Sequence, residues 1–508
     1  MPNAIFRADA SPEGGGGHIM RCMALVEALS DLGWLCRFAV RPPTLETMSA
    51  LRTSGYEVMD LMNDEDSEPP ELAARWPDGV DWLVVDHYGR DARFESACRP
   101  WAKRIMVIDD LADRPHDCDL LLDQTLGRTA AAYAGHVPDG CRLLLGPGYA
   151  LLRPEFARAR PAALARRQEN GPVRRILVSM GATDPHNVTV VALEGIRRAG
   201  LKVEVDVVAG AASPHIAALR ALAEDIPFPV TIHESVDAMA DLMARADIAI
   251  GAAGSTSWER CCLGLATLLV VTSENQRDIA RSLTELGATG MLGSIDTLDA
   301  DRIGTTLAEF SAGDEERLDM NVRAAGVCDG LGARRVALGL SPERSRDGKA
   351  ITLRPATADD AALMFDWQQH PATRRYAWNP GLPSYEEHQG WLVGKLADPD
   401  CIFSMILCCD ETVGVIRLDR EGAASEARES YEVSIYTAPD RYQMGYALAG
   451  LKLARRLMPE AIILAKIMED NAASNALFRR AGYVFQDGWH VSLPRRCFAT
   501  QTIERQLS

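Results

Sequence analysis

Aromatic residues are scarce, 6% of 508, which leaves little for a surface that stacks on sugars or single-stranded bases. Basic residues are outnumbered, 54 Lys+Arg against 71 Asp+Glu, for a net charge of -17. That deficit argues against a broad basic face, and no nucleic-acid partner is expected. No apolar stretch approaches the length of a membrane span, so no membrane partner is expected either. Met1-Pro2-Asn3-Ala4-Ile5-Phe6-Arg7-Ala8-Asp9 lacks the basic start and apolar run of a signal peptide and reads as a first strand. The 12 cysteines are scattered, with no Cys-x-x-Cys, and the adjacent pairs Cys261-Cys262 and Cys408-Cys409 suit disulfides poorly. Free thiols in a reducing cytoplasm are therefore expected. The absence of G-x-x-x-x-G-K-[ST] disfavours a P-loop kinase or ATPase. His18, His87 and His186 lack ligand spacing, so no metal is expected. Oligomeric state is not legible at this level.

The length implies several domains. Apolar strands alternate with amphipathic helices from Ala4 to about Tyr149, with strands at Ala4–Ala8, Cys36–Val40, Trp82–Asp86, Ile105–Ile108 and Leu120–Asp123. The rhythm resumes from Arg174, with strands at Arg175–Met180, Lys202–Val208, Val230–Glu234, Ile248–Gly251 and Thr267–Val271. This βαβ order predicts two α/β lobes with mainly parallel sheets, over residues 1–155 and 156–340. Polar Ser341–Lys349 marks a boundary, taken as a linker over 341–350. Residues 351–508 then read as an α+β domain, with a hairpin turning at Asp410-Glu411.

The first strand runs into Asp9-Ala10-Ser11-Pro12-Glu13-Gly14-Gly15-Gly16-Gly17-His18 and a helix patterned by Ile19, Cys22, Met23, Val26 and Leu29. Glycines at this strand-to-helix edge let a ligand approach the backbone. A glycine run alone is equally a flexible turn. Its position makes Asp9 and Gly17 candidate substrate contacts and His18 a base able to take a proton from water. Asp86, Asp109-Asp110 and Asp123 also end strands; each alone would be a helix cap, but their recurrence points to a polar cleft, with Tyr88 as a sugar contact. In the second lobe, Gly181-Ala182-Thr183-Asp184 and Gly254-Ser255-Thr256 form small-residue turns before helices, suited to a diphosphate. Glu259 suits either a ribose or a capping box, and Asn275 and Gln276 add polar groups.

Two Rossmann-like lobes with such turns look like the GT-B architecture of nucleotide-sugar enzymes. Arg7-Ala8-Asp9, Gly17-His18-Ile19-Met20-Arg21-Cys22, Asp86-His87-Tyr88-Gly89, Ile108-Asp109-Asp110-Leu111-Ala112-Asp113-Arg114, Gly181-Ala182-Thr183-Asp184-Pro185 and Gly254-Ser255-Thr256-Ser257-Trp258-Glu259 resemble, in the same order, the UDP-sugar hydrolases of the pseudaminic-acid pathway. That resemblance implies hydrolysis of UDP-2,4-diacetamido-2,4,6-trideoxy-β-L-altropyranose to UDP and the free sugar, with His18 activating water at the anomeric carbon. The four glycines depart from the family's bulkier residue in this turn but leave His18 in register.

Ala438-Pro439-Asp440-Arg441-Tyr442-Gln443-Met444-Gly445-Tyr446-Ala447 and Glu469-Asp470-Asn471-Ala472-Ala473-Ser474-Asn475-Ala476-Leu477-Phe478 resemble the GNAT acetyltransferases. The resemblance implies acetyl-CoA as co-substrate, held by Ile435, Tyr436, Gln443, Gly445, Ala447 and Asn471. It implies N-acetylation of the 4-amino sugar nucleotide, the step before hydrolysis. His388-Gln389-Gly390-Trp391 resembles members that acylate amino sugars or protein N-termini. Glu432 is either the amine's base or a strand-edge charge. Tyr442 replaces the usual Arg or Gln, and Phe478 replaces the usual tyrosine acid and cannot donate a proton. The competing readings are a glycosyltransferase with another acceptor and a nucleotide-sugar-binding scaffold whose acetyltransferase domain is degenerate.

Overall fold

The computed structural model describes residues 1–494 apart from 12–14, 63, 65–66, 170, 182, 211–212, 235, 237, 380 and 423–427. The chain divides into two compact units at Ala333/Arg334.

The first unit holds two doubly wound lobes. In the first, strands β1 (Asn3–Ala8), β2 (Leu35–Val40), β3 (Glu57–Asp60), β4 (Trp82–Asp86), β5 (Ile105–Ile108), β6 (Leu120–Asp123) and β7 (Arg142–Leu145) form a sheet ordered β3-β2-β1-β4-β5-β6-β7. In the second, β8 (Arg175–Ser179), β9 (Glu204–Val208), β10 (Val230–His233), β11 (Ile248–Ala252), β12 (Thr267–Val271) and β13 (Gly290–Ser294) run β10-β9-β8-β11-β12-β13. Both sheets are parallel. Their central strands, such as Trp82–Asp86 and Thr267–Val271, are buried along their whole length, as strands covered by helices on both faces must be. The order reverses between β1 and β4 and between β8 and β11, and at such points the loops part and leave a crevice. Strands β3, β7 and β13 escape sequence reading because they are short edge strands, and in β3 and β7 the apolar run is brief. The helix Pro154–Gln168 crosses the expected 155/156 boundary, and its Phe156 and Ala163 join the second lobe's core with Leu177, Met243 and Trp258.

The second unit carries a mixed sheet of β14 (Glu343–Arg344), β15 (Ala350–Pro355), β16 (Cys401–Cys408), β17 (Glu411–Glu421), β18 (Ser430–Thr437), β19 (Ile462–Ala465), β20 (Val484–Gln486) and β21 (Trp489–Ser492), ordered β14-β15-β16-β17-β18-β19-β21-β20. Residues 341–350 are not a free linker. Glu343 and Arg344 pair with Ile351 and Ala350, and the Arg346 amide donates to the Met444 carbonyl at 2.8 Å. The Asp347-Gly348 signal marks the turn of this edge hairpin, with Gly348 at φ 83°. The next hairpin also shifts by one residue. Its turn is Cys409-Asp410, both left-handed at φ 48° and 68°, with Cys408 opposite Glu411, the twist a two-residue connection requires. The described cysteines are free thiols. Among the described residues no helix is long and apolar enough to cross a membrane.

One buried carboxylate organises the first lobe. Glu68 accepts from Arg7 at 2.9 and 3.0 Å, from Arg41 at 2.7 Å and from Arg90 at 2.8 Å. Burial alone would raise its carboxyl, but Arg7 and Arg90 outweigh it and hold the group at about 2. A depressed carboxyl stabilises the fold above its unfolded value, and that contribution is lost as pH falls through the folded value. Glu68→Gln is therefore expected to lower stability by about 3 kcal/mol at neutral pH. Urea unfolding at a series of pH values checks this, and the gap between the two proteins closes as pH falls from about 4.5 toward 2.

Candidate functional site

His18 is the second residue of the helix Gly17–Asp31, which leaves the end of β1. Asp86 ends β4 and lies in register with Ala8 of β1. The switch point thus brings together two residues far apart in the chain: His18 Nδ1 is 2.6 Å from Asp86 Oδ1. Arg21, one helical turn beyond His18, donates to the same carboxylate from Nε at 2.7 Å and from its terminal nitrogen at 2.5 Å. It also reaches Asp110 Oδ2 at 3.0 Å. Asp86 is fully buried. Burial opposes its charge, but Arg21 and His18 outweigh that and hold it well below the usual carboxylate range. An ionised carboxylate only accepts, so in the neutral ring Nδ1 is the nitrogen that carries the proton and Nε2 the one that can act as a base.

Tyr88 meets the His18 ring edge-on, centroids 4.7 Å apart. Its hydroxyl donates to Asp110 at 3.3 Å and accepts from Asn275 Nδ2 at 3.2 Å. Burial and Asp110 raise this phenol, so it stays a donor at neutral pH. The Tyr88–Asn275 bond joins the two lobes across the cleft. A second approach lies beside it, where a side chain at Gly17 would stand 3.5 Å from Ser255 Oγ. Asp9 is engaged within its own lobe, by Arg7 at 2.8 Å, the Arg41 amide at 2.7 Å and His87 at 3.2 Å. Residues 12–14 of the glycine turn lie outside the described residues, as does Ala182.

In the second lobe Gly181 takes φ 97° at the end of β8. Asp184 caps the helix Val188–Ala199, accepting from the Val188 and Thr189 amides at 2.9 Å each, and Thr183 is half-buried between them. Gly254 and Ser255 follow β11 and lead into the helix Thr256–Cys262. The Gln276 side-chain oxygen Oε1 accepts from Thr272, from its amide at 3.0 Å and its hydroxyl at 3.1 Å. That turns Gln276 Nε2 toward Gly254, 3.9 Å from where a Cβ would sit. Glu259 lies 3.9 Å from Arg153. Burial pushes its carboxyl up to about 7 against Arg153 and Arg260. No side-chain capping bond to Ser255 forms. Among the described residues no cluster of His, Cys, Asp or Glu has the makings of a metal site.

In the second unit β18 pairs with β17 from Ser430 to Thr437 but with β19 only over Ser430–Glu432. Beyond that the two parallel strands diverge, and Ile435 and Tyr436 lie on the part of β18 that β19 leaves. Gln443 and Gly445 adopt φ 63° and 89° before the helix Tyr446–Leu457, whose second residue is Ala447. Asn471 caps the helix Ala472–Arg480 by accepting from the Ser474 amide at 3.0 Å. A sheet splayed between two parallel strands, beside a helix that opens on a glycine turn, decides the kind of domain.

Residues 350–484 match the acetyltransferase (GNAT) domain family. Within this GNAT domain Glu432 is half-buried opposite Asp419, and burial together with Glu421 and Asp419 raises its carboxyl against Lys466 and Arg417. Tyr442 is exposed, and Arg441 is paired with Glu411 at 2.6 Å. Phe478 is buried edge-on against Tyr483 at 4.9 Å. Over 194 residues the chain is 28% identical to UDP-2,4-diacetamido-2,4,6-trideoxy-beta-L-altropyranose hydrolase of Campylobacter jejuni, covering 37% of this chain and 62% of that protein. Another alignment, of 203 residues, is 29% identical to spore coat polysaccharide biosynthesis protein SpsG of Bacillus subtilis, covering 40% and 58%. The chain thus spans roughly three-fifths of each of these relatives. Acinetobacter baumannii MurG overlays with a TM-score of 0.49 at 13% identity, over 67% of this chain and 99% of MurG.

Sequence reading missed the partners of His18. Asp86 stood out as a strand-end aspartate and as part of a motif, and Arg21 as part of a motif, but neither was linked to His18. The available signal was positional: a residue ending the strand across the switch point from β1 faces the start of the helix after β1.

Proposed function

We propose that the first unit hydrolyses UDP-2,4-diacetamido-2,4,6-trideoxy-β-L-altropyranose. The observation that carries this reading is the Asp86–His18 pair, next to Gly17, which stands against Ser255 of the second lobe. His18 Nε2 takes a proton from water, and the water oxygen bonds to the anomeric carbon. The bond from that carbon to the phosphate oxygen breaks, and UDP leaves with the electron pair. Asp86 stabilises the imidazolium that forms. Amides of the Gly181 and Gly254–Thr256 turns meet the diphosphate, and Glu259 accepts from the ribose. The product is the free 2,4-diacetamido sugar. UDP release measured with and without added acceptor tests this: full release into water supports it, and release only with an acceptor makes the unit a glycosyltransferase.

The GNAT domain is read as the preceding step, N-acetylation of the 4-amino sugar nucleotide by acetyl-CoA. The amine attacks the acetyl carbon, Glu432 takes its proton directly or through water, and the thiolate leaves. With Phe478 at the acid position, solvent protonates the thiolate. Gly445→Val should lower thiol release at least tenfold, since a side chain at φ 89° strains the turn, while UDP release stays unchanged. Thiol and UDP assays on the same preparation check both. Placing both steps in one chain raises the effective concentration of the shared intermediate.

A further inference from the structure

We propose that Arg260 is the built-in counter-charge of the nucleotide diphosphate, a positioning residue beneath the turn of the second lobe. This rests on the nucleotide reading of that lobe. Arg260 is 1% exposed, on the helix that follows the Gly251–Gly254 turn. One terminal nitrogen donates to the Ala252 carbonyl at 2.6 Å and to Ser257 Oγ at 3.1 Å. The other terminal nitrogen and Nε have no hydrogen-bond partner among the described residues. The guanidinium packs against Gly251: a Cβ there would overlap the free terminal nitrogen and stand 2.9 Å from Cζ and 3.0 Å from the Ser179 carbonyl oxygen. Gly251 belongs to β11 and Ser179 ends β8, the two strands of the switch point. The charge therefore sits under the place where both glycine turns begin.

Two other buried arginines of this unit are accommodated differently. Arg160 uses both terminal nitrogens on the carbonyls of Cys262, Cys328 and Ala325, and Arg167 uses both on Ala163 and Met243. These are staples between elements. Arg260 is left half-satisfied, a costly state for a buried cation. Burial pushes it down to about 10, so it keeps its charge at neutral pH. Its acidic neighbour, Glu259, is itself raised by burial to about 7 and lies beside Arg153. No carboxylate forms an ion pair with Arg260 among the described residues. An anion arriving on the turn above would recover the missing interaction in a site of low dielectric. The guanidinium would hold the Ala252 carbonyl and Ser257 in place meanwhile.

The test is calorimetric titration of the full-length chain with uridine, UMP and UDP, for wild type, Arg260→Met and Arg260→Lys. The methionine variant should weaken UDP roughly 10- to 100-fold, UMP less, and uridine less than about twofold, because only a charge effect scales with ligand charge. Arg260→Lys should bind UDP near neutral pH and lose it, relative to wild type, as pH rises and the buried amine deprotonates, with uridine binding flat. Equal losses for all three ligands in Arg260→Met would reduce Arg260 to packing and overturn the proposal. Should that variant not fold, a lysine variant whose UDP affinity tracks wild type across pH would overturn it too. Wild type that binds none of the three ligands would instead sink the nucleotide reading itself, a separate and recognisable result.

Discussion

His18→Ala is expected to lower UDP release from the diacetamido sugar nucleotide by about 10²–10⁴-fold, almost all of it in kcat. In the proposed mechanism the imidazole serves the proton transfer and not the binding of substrate. Its Nδ1 is occupied by Asp86 at 2.6 Å, and on that reading Nε2 acts only when water gives up its proton. The helix start should survive, because the residues that anchor it, Ile19, Cys22, Leu25 and Val26, are buried and untouched. UDP binding by the inactive protein, measured by calorimetry, should stay within a few-fold of wild type. Equal UDP release by both proteins would remove His18 from the chemistry. Loss of UDP binding together with turnover would make the ring a binding group.

Asp86→Asn should cost nearly as much by a different route. Asparagine fits the space but offers one acceptor and one donor where three donors converge from His18 and Arg21. If its amide nitrogen faces Nδ1, the ring must carry its proton on Nε2, the wrong nitrogen for a base. A loss of about 10²–10⁴-fold in kcat follows, with KM little changed. The same substitution leaves the Arg21 guanidinium, 6% exposed, without its main counter-charge. Breaking a buried pair costs about 3–5 kcal/mol, so urea unfolding should shift as well. Arg21→Lys separates the two effects. It keeps a cation near Asp86 and leaves the Asp86–Nδ1 contact in place, so stability should fall while most activity remains. A protein that loses activity in parallel with stability in both variants would make Asp86 structural only.

Much of this molecule was legible in the residue order because burial writes itself into composition. Parallel strands covered on both faces must be continuous apolar runs, and Trp82–Asp86, Ile105–Ile108, Leu120–Asp123 and Thr267–Val271 were read with the bounds the structure has. Glycines at strand ends announced the loops of both switch points. Short edge strands left no such mark. Glu57–Asp60 is largely exposed, and the hairpin Val484–Gln486 with Trp489–Ser492 is too brief for a periodic pattern. The Ser341–Lys349 stretch shows the reverse error: a Pro/Gly-rich polar signal can be a tight turn inside a sheet as readily as a linker.

Local pattern determined on its own the two α/β lobes, the α+β domain after them, and the placing of His18 at the start of a helix beside glycine. Those follow from hydrophobic period and backbone freedom, which act over a few residues. What the chain order could not supply is which distant charge meets which. Asp86 beside His18, Asn275 against Tyr88, and Arg260 left half-satisfied under Gly251 depend on strand order and lobe contact. Electrostatic partners are chosen by distance in space and by the cost of an unpaired buried charge, and neither quantity exists until the sheets have assembled.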